Sequence, residues 1–366
     1  MTKGSICGED RRHCPRLDST VIIERIAAVW LFFMGLSIGS FLNVVIYRLP
    51  RGLSVVSPRS RCNNCGHQLP WYENVPVFSW LVLGGKCSTC KTPISARYMV
   101  VELLTGLLFL ACLARFGWAW ELVGALTFVT LLVPLSFIDA ELWILPFELT
   151  LPGILFGVLL AIPLGAGAVK TSVIAAIGCF MLYRALEWMG WLGFKKEALG
   201  AGDKYLLAMV GAFLGWRSLL GILFLSSAQG AVFGIFNIVT RGKAGPDQPP
   251  APPPQPVAEG EAAAAPVALE EPAPTFTPDF LRPGLSPLRR LVLLPWTLFL
   301  QSIPDDLPDE PETGAPPEWV PGTTALPFGP WIALAALEVM LIGPTIVRLL
   351  DDTAIGLSAR MMFGSI

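Results

Sequence analysis

The sequence predicts an all-α polytopic membrane protein, with about eight transmembrane helices and a small cytoplasmic four-cysteine zinc-binding loop domain. Three observations predict it. Of 366 residues, 53% are apolar and only 15% charged, a balance too oily for an ordinary water-soluble domain. Several stretches reach the roughly 20 apolar residues that a bilayer-crossing helix needs, with few internal charges. Two C-x-x-C pairs stand together in one basic loop between the first two of those stretches. The composition excludes a soluble enzyme, the long apolar runs exclude a β-barrel, and a formal net charge of −2 argues against nucleic acid as a partner.

Residues 1–20 form a polar N-terminal tail whose charges are mixed: Lys3, Arg11, Arg12 and Arg16 against Glu9, Asp10 and Asp18. Residues 21–47 make the first transmembrane helix; the run is too long for a signal peptide and no A-x-A cleavage site follows. The loop 48–98 carries Arg48, Arg51, Arg59, Arg61, Lys86, Lys91 and Arg97 against the single acid Glu73. The positive-inside rule therefore places it in the cytoplasm. Residues 99–240 form the transmembrane core, with spans expected at 99–116, 119–138, 149–165, 171–190, 204–216 and 217–239. The 204–216 span is short for roughly 30 Å of hydrocarbon. The same charge argument puts 139–148, the stretch around Lys195, Lys196 and Lys204, and the region after Arg241 on the cytoplasmic side, and both termini outside.

Residues 241–326 read as a Pro-rich, largely disordered cytoplasmic insert ending in an acidic stretch with Asp305, Asp306, Asp309, Glu310 and Glu312. Within it, Leu288 to Leu300, interrupted by Pro295, is too short to span; it suits either the membrane surface or packing on the cytoplasmic loops. Residues 327–350 supply the last transmembrane helix, and 351–366 a C-terminal tail.

Cys62 and Cys65 are separated by 21 residues from Cys87 and Cys90. Each C-x-x-C turn lets two thiolates face one ion, and two turns close a tetrahedral zinc site with no position left for water. Such a site is structural, folding a loop that has little core of its own; a redox dithiol is the competing reading. His67 reads as a solvated side chain rather than a ligand. Cys112 and Cys179 lie in apolar runs, where cysteine acts as a small hydrophobe, and neither they nor Cys7 and Cys14 have a role.

Two acids stand beside apolar runs, Asp139 in FIDAELWILPFELTLP and Asp203 in LGAGDKYLL. Ionisable groups at span ends are costly if buried and are functional candidates by default, although solvated acids at helix termini look the same in sequence. Gly200 and Gly202 support the candidate loop by removing bulk before Asp203, so that a substrate backbone can approach or the chain can turn into the next helix. Lys204 is expected at the cytoplasmic boundary. Two carboxylates facing each other share one proton, so that one serves as base and the other as acid, as in aspartic proteases.

The ordered blocks GSFLNVVIYRLP at 39–50, PRSRCNNCGHQLPWYENVPVFSWLVLGGKCSTCKTPISARYMVVELLTG at 58–106, IDAELWILPFELTLP at 138–152, GAGD at 200–203 and PFGP at 327–330 resemble the bacterial type IV prepilin peptidases. The resemblance implies that Asp139 and Asp203 are the catalytic pair. It also implies cleavage of the leaders of type IV prepilins and type II secretion pseudopilins, at the cytoplasmic face of the bacterial inner membrane. N-methylation of the new terminus by S-adenosylmethionine is implied with it; no glycine-rich cofactor fingerprint is visible, so the methyl-donor site is not placed. Glu102 is a candidate for the methyltransferase function or for holding the zinc loop.

The chain departs from the family pattern at Phe147, where an acid usually follows Leu145-Pro146, and in its long insert. Gly35, Gly39 and Asn43 recur every four residues and share one face of the first span, which suits close helix packing with a polar contact; direct contact with substrate or methyl donor is the alternative. Two other function classes fit acids near span ends: an ion-coupled transporter, against which the lack of a visible internal repeat argues, and a non-catalytic pilus or secretion assembly protein.

Overall fold

The computed structural model describes residues 19–62, 64–194, 200, 202–241 and 326–350. The N-terminal tail, the insert with its 288–300 segment, Lys195 and Lys196, and the tail 351–366 therefore lie outside the described residues. Among those described there is no strand, only two isolated bridges, Arg61 to Gln68 and Lys86 to Pro93. Everything else of length is helical: α1 (Ser19–Arg48), the short α2 (Phe78–Val82), α3 (Arg97–Phe116), α4 (Trp120–Leu142), α5 (Phe147–Leu160), α6 (Ala166–Phe194), α7 (Asp203–Leu214), α8 (Leu219–Arg241), α9 (Gly329–Leu341) and α10 (Gly343–Leu350).

Among the described residues, six helices are long and apolar enough to cross a membrane: Ile22–Arg51, Arg97–Phe116, Trp120–Leu142, Phe147–Leu164, Ala166–Gly190 and Trp216–Arg241. This is a multi-pass membrane protein. The other two expected spans differ in form. The stretch 328–349 is divided into α9 and α10 where Pro344 has no N–H to carry the ladder through. The 12 residues of α7 extend only about 18 Å, and its burial explains the shortness. Leu206, Leu207 and Met209 are fully enclosed, because α7 is packed by α4, α5, α6 and α9. A helix walled by protein has no need to match the bilayer.

The chain divides into two compact units, residues up to 43 with 59–118, and residues 44–58 with those from 119 onward. In the first unit, α1 and α3 approach closely. A Cβ on Gly35 would lie 2.8 Å from the Gly106 Cα, and one on Gly39 would lie 2.7 Å from the Glu102 Cα, so the glycine face permits backbone contact. One turn further, Asn43 Nδ2 donates to the Tyr98 carbonyl at 3.0 Å.

In the second unit, small residues perform the same service around α7. A Cβ on Gly157 would meet the Ala212 Cβ at 2.8 Å, and one on Gly211 the Cys179 Sγ at 2.5 Å. Cys179 is thus a packing residue, as is the buried Cys112. Helix α9 seals the other side of this core with Ile332, Ala335, Ala336 and Val339 fully buried, and its Glu338 accepts a hydrogen bond from Gln229 of α8.

Candidate active site and metal centre

Asp139 lies in the last turn of α4 and Asp203 opens α7. Both are buried at 5% exposure, which removes the reading of two solvated acids at helix ends. Their charges interact. Each carboxyl has its own setting. Tyr183 of α6 donates its hydroxyl to Asp203 Oδ2 at 2.9 Å and stands 3.3 Å from the Gly200 carbonyl. The N–H of Gly329, the first residue of α9, donates to the Asp139 carboxyl, where the positive end of the helix favours negative charge. Asp139 Oδ2 has no hydrogen-bond partner among the described residues.

The glycines act through close approach. Gly202 has an ordinary negative φ of −79°, and a Cβ there would fall 2.9 Å from the Leu145 Cβ. A Cβ on Gly200 would lie 3.1 Å from Asp203 Oδ2, and one on Gly329 only 2.6 Å from Asp139 Oδ2. PFGP is therefore part of the aspartate site, bringing bare backbone to a carboxyl. Phe147 stands half exposed beside this site, its ring edge-on to Tyr205 at 5.0 Å.

Lys204 is not at a solvated boundary. It is buried, with Nζ 3.5 Å from Glu187 Oε1, while Arg184 donates to Glu187 Oε2 at 2.7 Å. The reason is that α7 begins inside the packed helices, so its second residue must find a buried counter-charge. The segment YRALE, 183–187, is a polar and charged stretch inside an apolar helix. That signal alone would have nominated Tyr183, Arg184 and Glu187.

The four cysteines also come together. Their sulfurs all lie within 4.8 Å of one another, with Cys62 to Cys90 at 3.7 Å and Cys65 to Cys87 at 3.9 Å. Tetrahedral sulfur ligands at the usual bond length stand about 3.8 Å apart, so this set fits one metal ion. The two knuckles share one backbone plan. Cys62 N–H donates to His67 O and Gly66 N–H to Cys62 O; Cys87 N–H donates to Thr92 O and Lys91 N–H to Cys87 O. The turn residue has positive φ in both, 72° at Gly66 and 59° at Lys91. The sulfurs are electrostatically unequal. Donation from the Thr92 side chain lowers the Cys90 thiol to about 5. At Cys65 the His67 N–H is outweighed by desolvation and the neighbouring sulfurs, which raise that thiol to about 11. The His67 imidazole is not among the clustered ligand atoms; its Nε2 is 3.4 Å from Glu73.

Glu102 is buried on α3 and accepts the N–H of Val77 at 2.6 Å, with Ser40 of α1 as a second donor. Of its two sequence readings, holding the loop is the one these contacts express.

Comparison with known proteins matches the chain in two regions. The bacterial peptidase A24 N-terminal domain matches residues 33–116, and the type IV leader peptidase family matches residues 126–235. A protein of Myxococcus xanthus named prepilin leader peptidase/N-methyltransferase is 52% identical over 329 residues, covering 88% of this chain and 92% of its own. The chain belongs to the type IV leader peptidase family. Relatives of the same name from Aeromonas hydrophila and Neisseria gonorrhoeae are 39% and 35% identical, over 58% and 57% of this chain and 83% and 82% of theirs. No solved structure matches it. Membership of this peptidase family sets aside the transporter and the non-catalytic assembly protein, and the two matched regions hold the four cysteines and the two aspartates respectively.

Proposed function

We propose that this leader peptidase cleaves the leaders of type IV prepilins and type II secretion pseudopilins with Asp139 and Asp203. The observation that carries the assignment is the burial of both carboxylates in one interacting pair, each with its own hydrogen-bond donor. Asp203 Oδ2 accepts from Tyr183, so the proton shared by the pair belongs on Asp139. Asp203 then takes a proton from the attacking water, while Asp139 protonates the carbonyl oxygen of the scissile peptide. On collapse of the gem-diol, Asp203 passes that proton to the leaving amine while Asp139 takes one back from a gem-diol hydroxyl, which restores the pair. The charges of Arg184, Glu187 and Lys204 leave one positive charge in excess, the counterpart of an aspartate pair with one proton. Gly200 and Gly329 keep side chains out of the space around the carboxyls, and Gly202 lets the turn before Asp203 close on Leu145.

The metal of the four-cysteine cluster is zinc in this reading, bound by Cys62, Cys65, Cys87 and Cys90 in a closed, structural site. The second activity is N-methylation of the new terminus with S-adenosylmethionine as methyl donor. The enzyme sits in the bacterial inner membrane with the cysteine loop and the aspartates on the cytoplasmic side. The positive charge of loop 48–98 supports this orientation, and the basic leader of a prepilin would meet the site there.

The test is mass spectrometry of a co-expressed type IV prepilin with the intact enzyme, Asp139→Asn and Asp203→Asn at equal membrane abundance. The expected result is a shortened pilin with the intact enzyme alone, carrying an added methyl mass. Equal processing by all three, against an enzyme-free control that keeps its leader, would move the chemistry to other residues.

A further inference from the structure

The segment 76–82 of the cysteine loop contains a backbone conformation that β-branched residues rarely adopt. Val77 has φ 61° and ψ −51°, and the Phe78 N–H closes on the Pro76 carbonyl at 2.6 Å. This is the positive-φ γ-turn, which is strained. It leads into α2, whose residues Phe78, Leu81 and Val82 are 51%, 56% and 85% exposed. Three adjacent apolar side chains facing outward in a loop need a partner.

The depth of this segment follows from α1 and α3, whose contact at Gly35 and Gly106 lies in the same unit. Helix α3 is bounded by Arg97 and Arg115, and Gly106 stands nine residues from each. Helix α1 is bounded by Arg25 and Arg48, and Gly35, near the middle of that stretch, is the residue that touches Gly106. Two arginine-bounded helices therefore meet at their centres, which fixes the bilayer midplane near this glycine contact. Glu102 lies four residues, about 6 Å, from Gly106, well inside a hydrocarbon half-thickness of about 15 Å. Its carboxylate holds the Val77 N–H. The ring of Phe78 is stacked on Phe33 at 6.3 Å between centroids and 22° between planes. Phe33 is two residues beyond Gly35, on the side away from Arg48.

We infer that residues 76–82 dip into the leaflet on the Arg48 and Arg97 side as a re-entrant wedge, with Phe78, Leu81 and Val82 against lipid acyl chains and Glu102 anchoring its turn. Backbone in hydrocarbon must satisfy its own polar groups, and most N–H groups of this segment have a partner within it or on Glu102. Pro76 has no N–H; Val77 donates to Glu102; Phe78, Ser79, Leu81 and Leu83 donate to carbonyls of residues 75–79. Trp71 and Tyr72 before the dip are exposed and suit the headgroup layer, where such rings concentrate. Exposed Lys86 follows it. The wedge ties the cysteine loop to the membrane at a point distinct from its two helical ends.

The test places a genetically encoded nitroxide amino acid at Val82 of the full chain in lipid nanodiscs, with exposed Lys91 as reference. Power saturation compares collision with oxygen, which partitions into lipid, and with a water-soluble nickel chelate. The expected oxygen-to-nickel ratio is several-fold higher at Val82 than at Lys91, and it falls toward the Lys91 value when Glu102→Ala is added. A ratio at Val82 equal to that at Lys91 would put the segment in water. Exclusion of both reagents would mean that protein covers it, and either outcome overturns the wedge. A high ratio that Glu102→Ala leaves untouched would remove Glu102 as its anchor.

Discussion

Tyr183 Oη and Asp203 Oδ2 are joined by a 2.9 Å hydrogen bond between α6 and the first residue of α7. The bond distinguishes the two aspartates, since Asp139 receives its donor from backbone and Asp203 from a side chain. Tyr183→Phe removes only the hydroxyl. A hydrogen bond to a charged acceptor is worth about 1.5–3 kcal/mol, so leader cleavage should slow by roughly 10- to 100-fold. Methylation of a pilin already freed of its leader should keep its rate. Timed cleavage by mass spectrometry measures the first, and methyl transfer to mature pilin the second; an equal fall in both would point to general unfolding instead.

Gly329 gives the sharpest steric prediction. A methyl group there would lie 2.6 Å from Asp139 Oδ2, displacing the carboxyl that the Gly329 N–H positions. Displacements of this size cost about 100-fold in rate when the group is catalytic. Gly329→Ala should therefore reach the membrane at normal abundance and cleave poorly. Normal cleavage would show that this approach is not needed.

The fold was legible because apolar length is written locally: every expected span falls on helix, the last of them on two, α9 and α10. The exceptions have physical causes. The length of α7 depends on whether lipid or protein surrounds it, and the ending of α9 on a single proline. The candidate site was legible through Asp139, Asp203 and the four cysteines, residue types that are conspicuous beside apolar runs. Gly329 was not, because the described site joins it to Asp139 across nearly 190 positions of chain. Tyr183 and Glu187 were overlooked although their charged and polar neighbourhood inside α6 marked them. The burial of Lys204 was not legible because a lysine next to a span end reads as a boundary residue, whereas its partner Glu187 lies on another helix.

Glu187 takes both buried cations of this cluster, Arg184 and Lys204. Glu187→Gln leaves two positive charges without their carboxylate, and breaking a buried pair in this way costs about 3–5 kcal/mol. The variant should melt earlier in detergent. Adding Lys204→Met should restore part of the loss, because the second change removes one of the orphaned charges. Purely additive destabilisation in the double variant would argue that the two side chains do not interact.

The two cysteine knuckles repeat one backbone plan with different residues at the strained position, Gly66 at φ 72° and Lys91 at φ 59°. A side chain in the left-handed region costs roughly 1–2 kcal/mol, which glycine avoids. Lys91→Gly should relieve this cost and make the second knuckle resemble the first. Gly66→Ala should impose it on the first. Because metal binding and folding of such a loop are one equilibrium, the difference should be read as metal retention. Under a fixed excess of chelator, bound metal measured by mass spectrometry should be lost more slowly from Lys91→Gly, and faster from Gly66→Ala, than from the unchanged protein. The same order in both variants, or no difference, would mean that the turn conformation does not control how tightly the four sulfurs close on their ion.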